Sequence, residues 1–397
     1  MAYTDQEGIL PNSAFSRYNI RLGATHEIRE GLSVGGNVSF IYSDQDGVPQ
    51  GNNPSSLFFN APSQPRNYDY ANEPIFRPDG SQNWYSPSSD NPLWSAFNNP
   101  YTSEVSRILG NFNLDYQLPF LKGLSVAFRA TLDTYTDERK QVYSEGSALR
   151  GPGEITNDVI SNRNWETYLT ITYKKDLTED ISLNTFVGHN VFDTRFLRNR
   201  LIGSDIIVPG LNVITNTTTY EPLETIDERR IVGVYGEVGL SFRDYLFLNY
   251  NARNDWSSSL PEDNRSFFYF SGGLSFILSE ALDLAAATND LVTFVKLRGS
   301  YAEVGNDPPA YYTTTNYVVP SGVNSFGNNV ADFNFPFQGV PGYSLDDIIG
   351  NPTLSPEFTS SYEFGADLGF LNDRLDVNVT YFRNKSTEQI QQVAIPA

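Results

Sequence analysis

Leu32-Ser33-Val34-Gly35-Gly36-Asn37-Val38-Ser39-Phe40-Ile41-Tyr42 is the stretch on which the fold turns. Leu32, Val34, Gly36, Val38, Phe40 and Tyr42 fall on one face, and Ser33, Gly35, Asn37 and Ser39 on the other. A period of two with one apolar face marks a β-strand lying between an apolar and a polar environment. The same alternation returns at residues 124–132, 181–187, 232–242, 268–276, 362–370 and 375–381. It predicts about twelve strands of roughly 10–14 residues, long for a soluble sheet and close to membrane-spanning length.

The connections alternate. Short turns are expected at residues 29–31, 119–123, 175–180, 243–245 and 372–374, with a somewhat longer one at 279–291 where Ala285-Ala286-Ala287 can form a helical turn. The intervening connections, 43–104, 138–163, 194–228, 256–266 and 304–358, read as loops. Short turns at one end and long loops at the other belong to an up-and-down antiparallel barrel in a membrane. The polar face carries Arg129, Asn184, Glu237, Arg298, Glu363 and Asn378, which suit a wet interior. Tyr42, Tyr116, Tyr173, Phe192, Phe242, Tyr245, Tyr250, Trp256, Phe370, Tyr381 and Phe382 lie near strand ends, where a barrel has its interfacial girdles. No run of apolar residues is long enough for a membrane helix.

Composition excludes several chemistries. The chain has 27 basic and 47 acidic side chains and a net charge of −20, which is wrong for a general nucleic-acid binder. With no Cys there is no disulfide, zinc-thiolate site or cysteine nucleophile, and His26 and His189 sit in separate strand patterns. No GxSxG, HExxH or P-loop is present, and Gly151-Pro152-Gly153 reads as a loop, so no enzyme, metal or cofactor is expected. Asp44-Gln45-Asp46-Gly47 resembles the opening of a calcium loop but lacks the Glu at the twelfth position, so turn chemistry is expected there, as at Asp346-Asp347. Asn254-Asp255-Trp256-Ser257-Ser258-Ser259 is expected to cap a strand-to-loop corner.

Several stretches, in order, resemble a known family. They are Asn91-Pro92-Leu93-Trp94-Ser95-Ala96-Phe97-Asn98-Asn99-Pro100-Tyr101 with Arg107-Ile108-Leu109-Gly110-Asn111-Phe112, and Val234-Tyr235-Gly236-Glu237 with Asn251-Ala252-Arg253-Asn254-Asp255-Trp256. Lys296-Leu297-Arg298-Gly299-Ser300-Tyr301-Ala302-Glu303-Val304-Gly305-Asn306-Asp307, Asn351-Pro352-Thr353-Leu354-Ser355-Pro356-Glu357 and Asp376-Val377-Asn378-Val379-Thr380-Tyr381-Phe382 follow. Over nearly the whole chain these look like the barrel of a SusC/RagA-type TonB-dependent outer-membrane transporter of Bacteroidota-type bacteria. The resemblance implies an all-β, transmembrane, 22-stranded barrel, of which residues 1–397 supply part. It implies import of large nutrients, glycans or peptides, driven through the TonB complex, with a SusD-like surface lipoprotein over the mouth and outer-membrane lipid around the wall. Against that pattern the signal peptide, plug, first strands and closing strands have no counterpart, and both ends read as cut. A complete small porin-like barrel and a soluble carbohydrate-binding β-protein are the alternatives.

Within residues 43–104, Tyr68, Tyr70, Trp84, Tyr85, Trp94 and Phe97 are the candidate ligand or partner contacts, since exposed rings can stack on sugar faces or against a partner protein. That segment holds seven acids and two bases, and residues 304–358 hold five acids and no base. The acidity is thus expected to gather where the barrel faces the medium.

Overall fold

The computed structural model describes residues 1–70, 72–288, 291–318, 337–345, 349–372, 374–391 and 393. Asp346, Asp347 and the turn residue Asp373 lie outside the described residues.

The strands are β1 (Ala2–Glu7), β2 (Ala14–Arg29), β3 (Leu32–Gly47), β4 (Tyr101–Gln117), β5 (Leu124–Tyr143), β6 (Glu154–Asp176), β7 (Ile181–Ile206) and β8 (Thr217–Phe242). They continue with β9 (Leu246–Ser257), β10 (Ser266–Ile277), β11 (Val292–Asn306), the two-residue β12 (Tyr317–Val318) and β13 (Ser344–Leu345), β14 (Glu357–Phe370) and β15 (Leu375–Thr387). Thirteen of them form one antiparallel sheet in chain order, with β12 and β13 paired separately. Short helices α1 (Leu57–Ser63) and α2 (Pro92–Asn98) lie in the β3–β4 connection, and α3 (Leu278–Leu282) and α4 (Leu284–Ala287) in the β10–β11 turn. The all-β, up-and-down architecture and the alternation of turns and loops are as the sequence predicts, with thirteen strands in the sheet against about twelve expected.

Two expectations need correction. Residues 138–163 and 194–228 are mostly strand, not loop: β5 to β8 run 20, 23, 26 and 26 residues, so the first of these connections shrinks to residues 144–153 and the second to 207–216. Beyond the membrane neither face of a strand has to be apolar, so the alternation that betrays a strand disappears. Asp44-Gln45-Asp46-Gly47 is likewise the end of β3, where Asp44 lies opposite Glu104.

The register shows why the alternation matters. Leu22 lies opposite Val38 and Ile20 opposite Phe40; across the sheet Ile171 lies opposite Val187, Leu240 opposite Leu248 and Phe364 opposite Tyr381. Apolar side chains therefore stay on one face through the sheet from β2 to β15. From β2 to β15 this band slips toward the turn end by about one residue per strand, the stagger expected of tilted barrel strands. The face is uncovered: Leu22 is 67% exposed, Val187 52% and Phe364 58%. A β-sandwich would bury it under a second sheet; among the described residues no second sheet covers it. His26 and His189 point out of the wall on this same face, opposite Val34 and Val234.

Aromatic residues mark both edges of the band. Tyr42, Trp165 and Trp256 stand toward the loop end, and Tyr116, Tyr173 and Phe242 toward the turns, where Phe242 meets Tyr245 at 5.6 Å. Phe192 and Phe382 do not belong to the girdles. Each is out of phase with its apolar neighbours, Val191 and Tyr381, and faces the polar side.

That side carries an ion-pair ladder. Arg107 meets Asp133 at 2.5 Å, Arg129 meets Asp115 at 2.7 Å and Arg298 meets Asp367 at 2.9 Å. Arg198 and Arg200 both engage Asp158, the latter at 2.9 Å. Several of these pairs join neighbouring strands, where opposite charges support the register.

The tight turns hold the other end. Gly123 has φ +91°, and a Cβ there would stand 1.9 Å from the Lys174 carbonyl oxygen, so only glycine fits.

Two substitutions on one strand separate the faces. Val187→Arg puts a charge in the apolar band and should destabilise the membrane-embedded protein by about 2–4 kcal/mol, while Asn184→Arg, on the polar face, should cost much less. Denaturant unfolding from bilayers measures both; equal costs would show that the faces are misassigned.

Candidate functional site

At the loop end the β3–β4 connection folds into a cap with its own small core. Val48, Leu57 and Ala96 are buried together, with Leu10 packed against them. The Asn91-Pro92 step builds α2: the Asn91 side chain accepts from the N–H groups of Leu93 and Trp94, and Pro92 opens the first turn. Asn99 ends the helix and reaches onward, its Oδ1 accepting from the Ser144 N–H at 2.9 Å.

Asp90 is the hub. It is fully buried and accepts from Gln82 Nε2 at 2.7 Å, the Ala148 N–H at 2.6 Å and Ser147 Oγ at 3.0 Å. Ser55 and Ser147 share a 2.7 Å hydrogen bond, and Gln82 donates to the Gly146 carbonyl at 2.6 Å. These bonds tie the cap to the β5–β6 loop. Burial raises the Asp90 carboxyl above the usual carboxylate range, against the pull of hydrogen bonds from Ser55, Gln82, Ala148 and Ser147.

The predicted rings divide. Tyr68 contacts Tyr70 at 4.7 Å and Tyr85 at 5.3 Å, both edge-on, making one cluster with Tyr85 exposed. Trp84 carries the Arg77 guanidinium 4.4 Å above its ring, and Phe97 is exposed on α2. Trp94 is different: at 4% exposure it belongs to the interior of the cap and offers almost no surface to a ligand.

On the polar face below the loops, a cavity of about 540 Å³ is lined by Asn162, Thr194, Phe196, Asp227, Arg229 and Asp307, among others. Its wall is braced by the corner after β9. Arg229 Nε donates to Asp307 at 3.0 Å, its second nitrogen also binds that carboxylate, and the Ser257 and Ser259 hydroxyls bind it too, Ser259 at 2.7 Å. Burial would raise the Asp307 carboxyl, but the hydrogen bonds from Arg229, Ser257 and Ser259 outweigh it and hold the group below the usual range. The serines expected to cap this corner thus do so through an aspartate about fifty residues away in sequence.

Amides, the Asp227 carboxylate and the Phe196 ring can hold a polar ligand by hydrogen bonds and ring contact. Among the described residues no group of three or more His, Asp or Glu converges as a metal site. Asp90, Gln82 and Ser147 were not singled out in the sequence, where the only local signal was the Asp-Asn-Pro step, an acid before a helix cap; Asp307 entered only as the end of the stretch from Lys296 that carries the family resemblance.

A family model described as TonB dependent receptor-like, beta-barrel matches residues 39–397. TonB-dependent receptor P26 of Formosa agariphila is 26% identical over 416 residues, covering 99% of this chain and 38% of that protein. TonB-dependent receptor P3 of the same organism is 24% identical over 420 residues, with the same coverage of 99% and 38%. The chain thus spans well under half the length of these relatives. Among solved structures, the RagAB peptide transporter superposes with a TM-score of 0.79 at 22% identity, over 99% of this chain and 43% of that one. The "open-open" state of the RagAB peptide importer gives 0.76 at 22% identity, over 99% and 42%. At these identities the likeness is one of fold.

The two carboxylates should answer acid in opposite ways. The stabilisation from Asp307 is present above the ordinary Asp value of about 3.9 and is lost as pH falls below it through the depressed native value. The Asp90 carboxylate is disfavoured by its site, so the cap gains stability as pH falls through the raised native value toward that same number. Amide protection, taken relative to the intrinsic exchange rate at each pH, should rise at residues 82–99 on mild acidification and fall at 255–259 only in stronger acid. A shift of both segments in one direction would refute the assignment.

Proposed function

We propose that this chain, which belongs to the TonB-dependent receptor β-barrel family, forms wall and mouth of an outer-membrane transporter importing large nutrients, glycans or peptides. The observation that carries the reading is the two-faced single sheet, with uncovered apolar side chains on one side and paired charges, amides and a cavity on the other. Such a wall conducts polar solutes past lipid and does not itself transform them. The energy comes through TonB, and a SusD-like lipoprotein closes the mouth over the loops. The solved RagAB proteins are described as a peptide transporter and importer, which supports the peptide arm of this reading.

Within it, Tyr68, Tyr70, Trp84, Tyr85 and Phe97 are the contacts for substrate or lipoprotein at the cap, and Asn162, Phe196 and Asp227 lie on the path below. Edge-on rings with one exposed member make a platform for a sugar face or an apolar side chain.

The test follows labelled oligopeptides and oligosaccharides into cells that make the protein in their outer membrane. Uptake should collapse on loss of TonB, and Tyr85→Ala should weaken its half-saturation about two- to ten-fold. Uptake that persists without TonB would point to a passive pore and defeat the proposal. Recovery of the protein outside the outer-membrane fraction would defeat it equally.

A further inference from the structure

Beyond the apolar band toward the loops, the outward face of β6, β7 and β8 carries a charged cluster that cannot serve the lumen. Arg163 is six residues from Leu169, Asp193 six from Val187 and Arg230 four from Val234, even spacings that keep them on the lipid side. Trp165 lies opposite Asp193 and Asp193 opposite Arg230; Arg163 lies opposite Arg195 and Arg195 opposite Glu228. Arg230 grips Asp193 with two nitrogens, at 2.8 and 2.6 Å, Arg163 stands 3.6 Å from the same carboxylate, and Arg195 meets Glu228 at 3.0 Å. The Asp193 side chain is 10% exposed, while those of Arg163, Arg195 and Arg230 are 51%, 45% and 59% exposed. Three guanidiniums against two carboxylates leave a net positive charge, with N–H donors unspent.

The height is informative. Six residues of strand span about 20 Å, or about 15 Å of height once tilted. Measured from the middle of the band, that is where the hydrocarbon half of a bilayer ends. Trp165, between Arg163 and the band, is a ring of the kind that marks this boundary. At the same outward level β3, β4 and β5 present Asp44, Glu104 and Glu138 directly opposite one another. That sector repels anions, so attraction is confined to β6–β8.

We propose that Arg163, Arg195 and Arg230 bind the phosphate of a phosphorylated glycolipid in the outer leaflet. Planar guanidiniums, already oriented by Asp193 and Glu228, suit a phosphate oxygen array better than point charges do. The lipid then anchors this sector of wall at a fixed depth. The inference rests on the outer-membrane reading above.

The test uses the protein extracted in mild detergent from outer membranes and measures co-purifying phosphorylated glycolipid by mass spectrometry. Wild type should retain it. R163Q/R195Q, which leaves the Arg230–Asp193 pair and hence the buried carboxylate satisfied, should lose at least five-fold. R163K/R195K should retain an intermediate amount, and E104Q, in the acidic sector, the full amount. Equal retention by R163Q/R195Q and wild type would overturn the proposal. So would displacement of the lipid by millimolar inorganic phosphate, which would mark a site for the free ion. Absence of the protein from the outer-membrane fraction would instead strike the transporter reading itself.

Discussion

In hydrocarbon a backbone N–H or C=O has no water to turn to, and each one left unpaired costs several kcal/mol. The whole architecture follows from that constraint. Within the thirteen-stranded sheet, every strand from β2 to β14 gives one edge to the sheet strand before it and the other to the one after it, with only β12 and β13 set apart. Because the ladder alone satisfies the backbone, the side chains are released from making a core. They need only match what lies on each side of the wall.

This explains an unusual division of labour. Among the described residues the buried apolar cluster is in the cap, at Val48, Leu57 and Ala96, while the strands bury only a few apolar side chains, such as Val142 against Ile155, near the loop end. The sheet is held laterally by hydrogen bonds and, on its wet side, by ion pairs such as Arg107–Asp133 and Arg298–Asp367. The cap is held the other way, by a dry polar network around Asp90 in which each of several donors has an assigned place. A network of that kind is stiff when complete and costly when broken. It therefore fixes where the rings of Tyr68, Tyr85 and Trp84 stand above the mouth.

What could be read from the sequence depended on where water lies. Val34 to Tyr42 faces lipid on one side only, so its alternation is plain, and the face, the polarity and the turn ends all follow from it. At Arg195 to Ile206 the strand has risen out of the membrane, both faces are wetted, and a 26-residue strand passes for a loop. Parity alone would have placed Phe192 on the polar face; its position near a strand end suggested otherwise. The six candidate rings share one composition signal, yet Trp94 is interior and Tyr85 exposed, because burial in the cap depends on long-range partners at Ser55 and Ser147. The Arg229–Asp307 clamp spans 78 positions of chain, and no local pattern pairs the two residues.

The account stands on the assignment of the two faces of the wall. The chain has no cysteine, so single cysteines can be introduced along β7 from residue 183 to 191 and spin-labelled in a reconstituted bilayer. The account predicts strict alternation in collision rates: labels at 183, 185, 187, 189 and 191 favour oxygen from the lipid, and those at 184, 186 and 190 favour a water-soluble nickel chelate. A profile without that period of two, or with the phases exchanged, would contradict it.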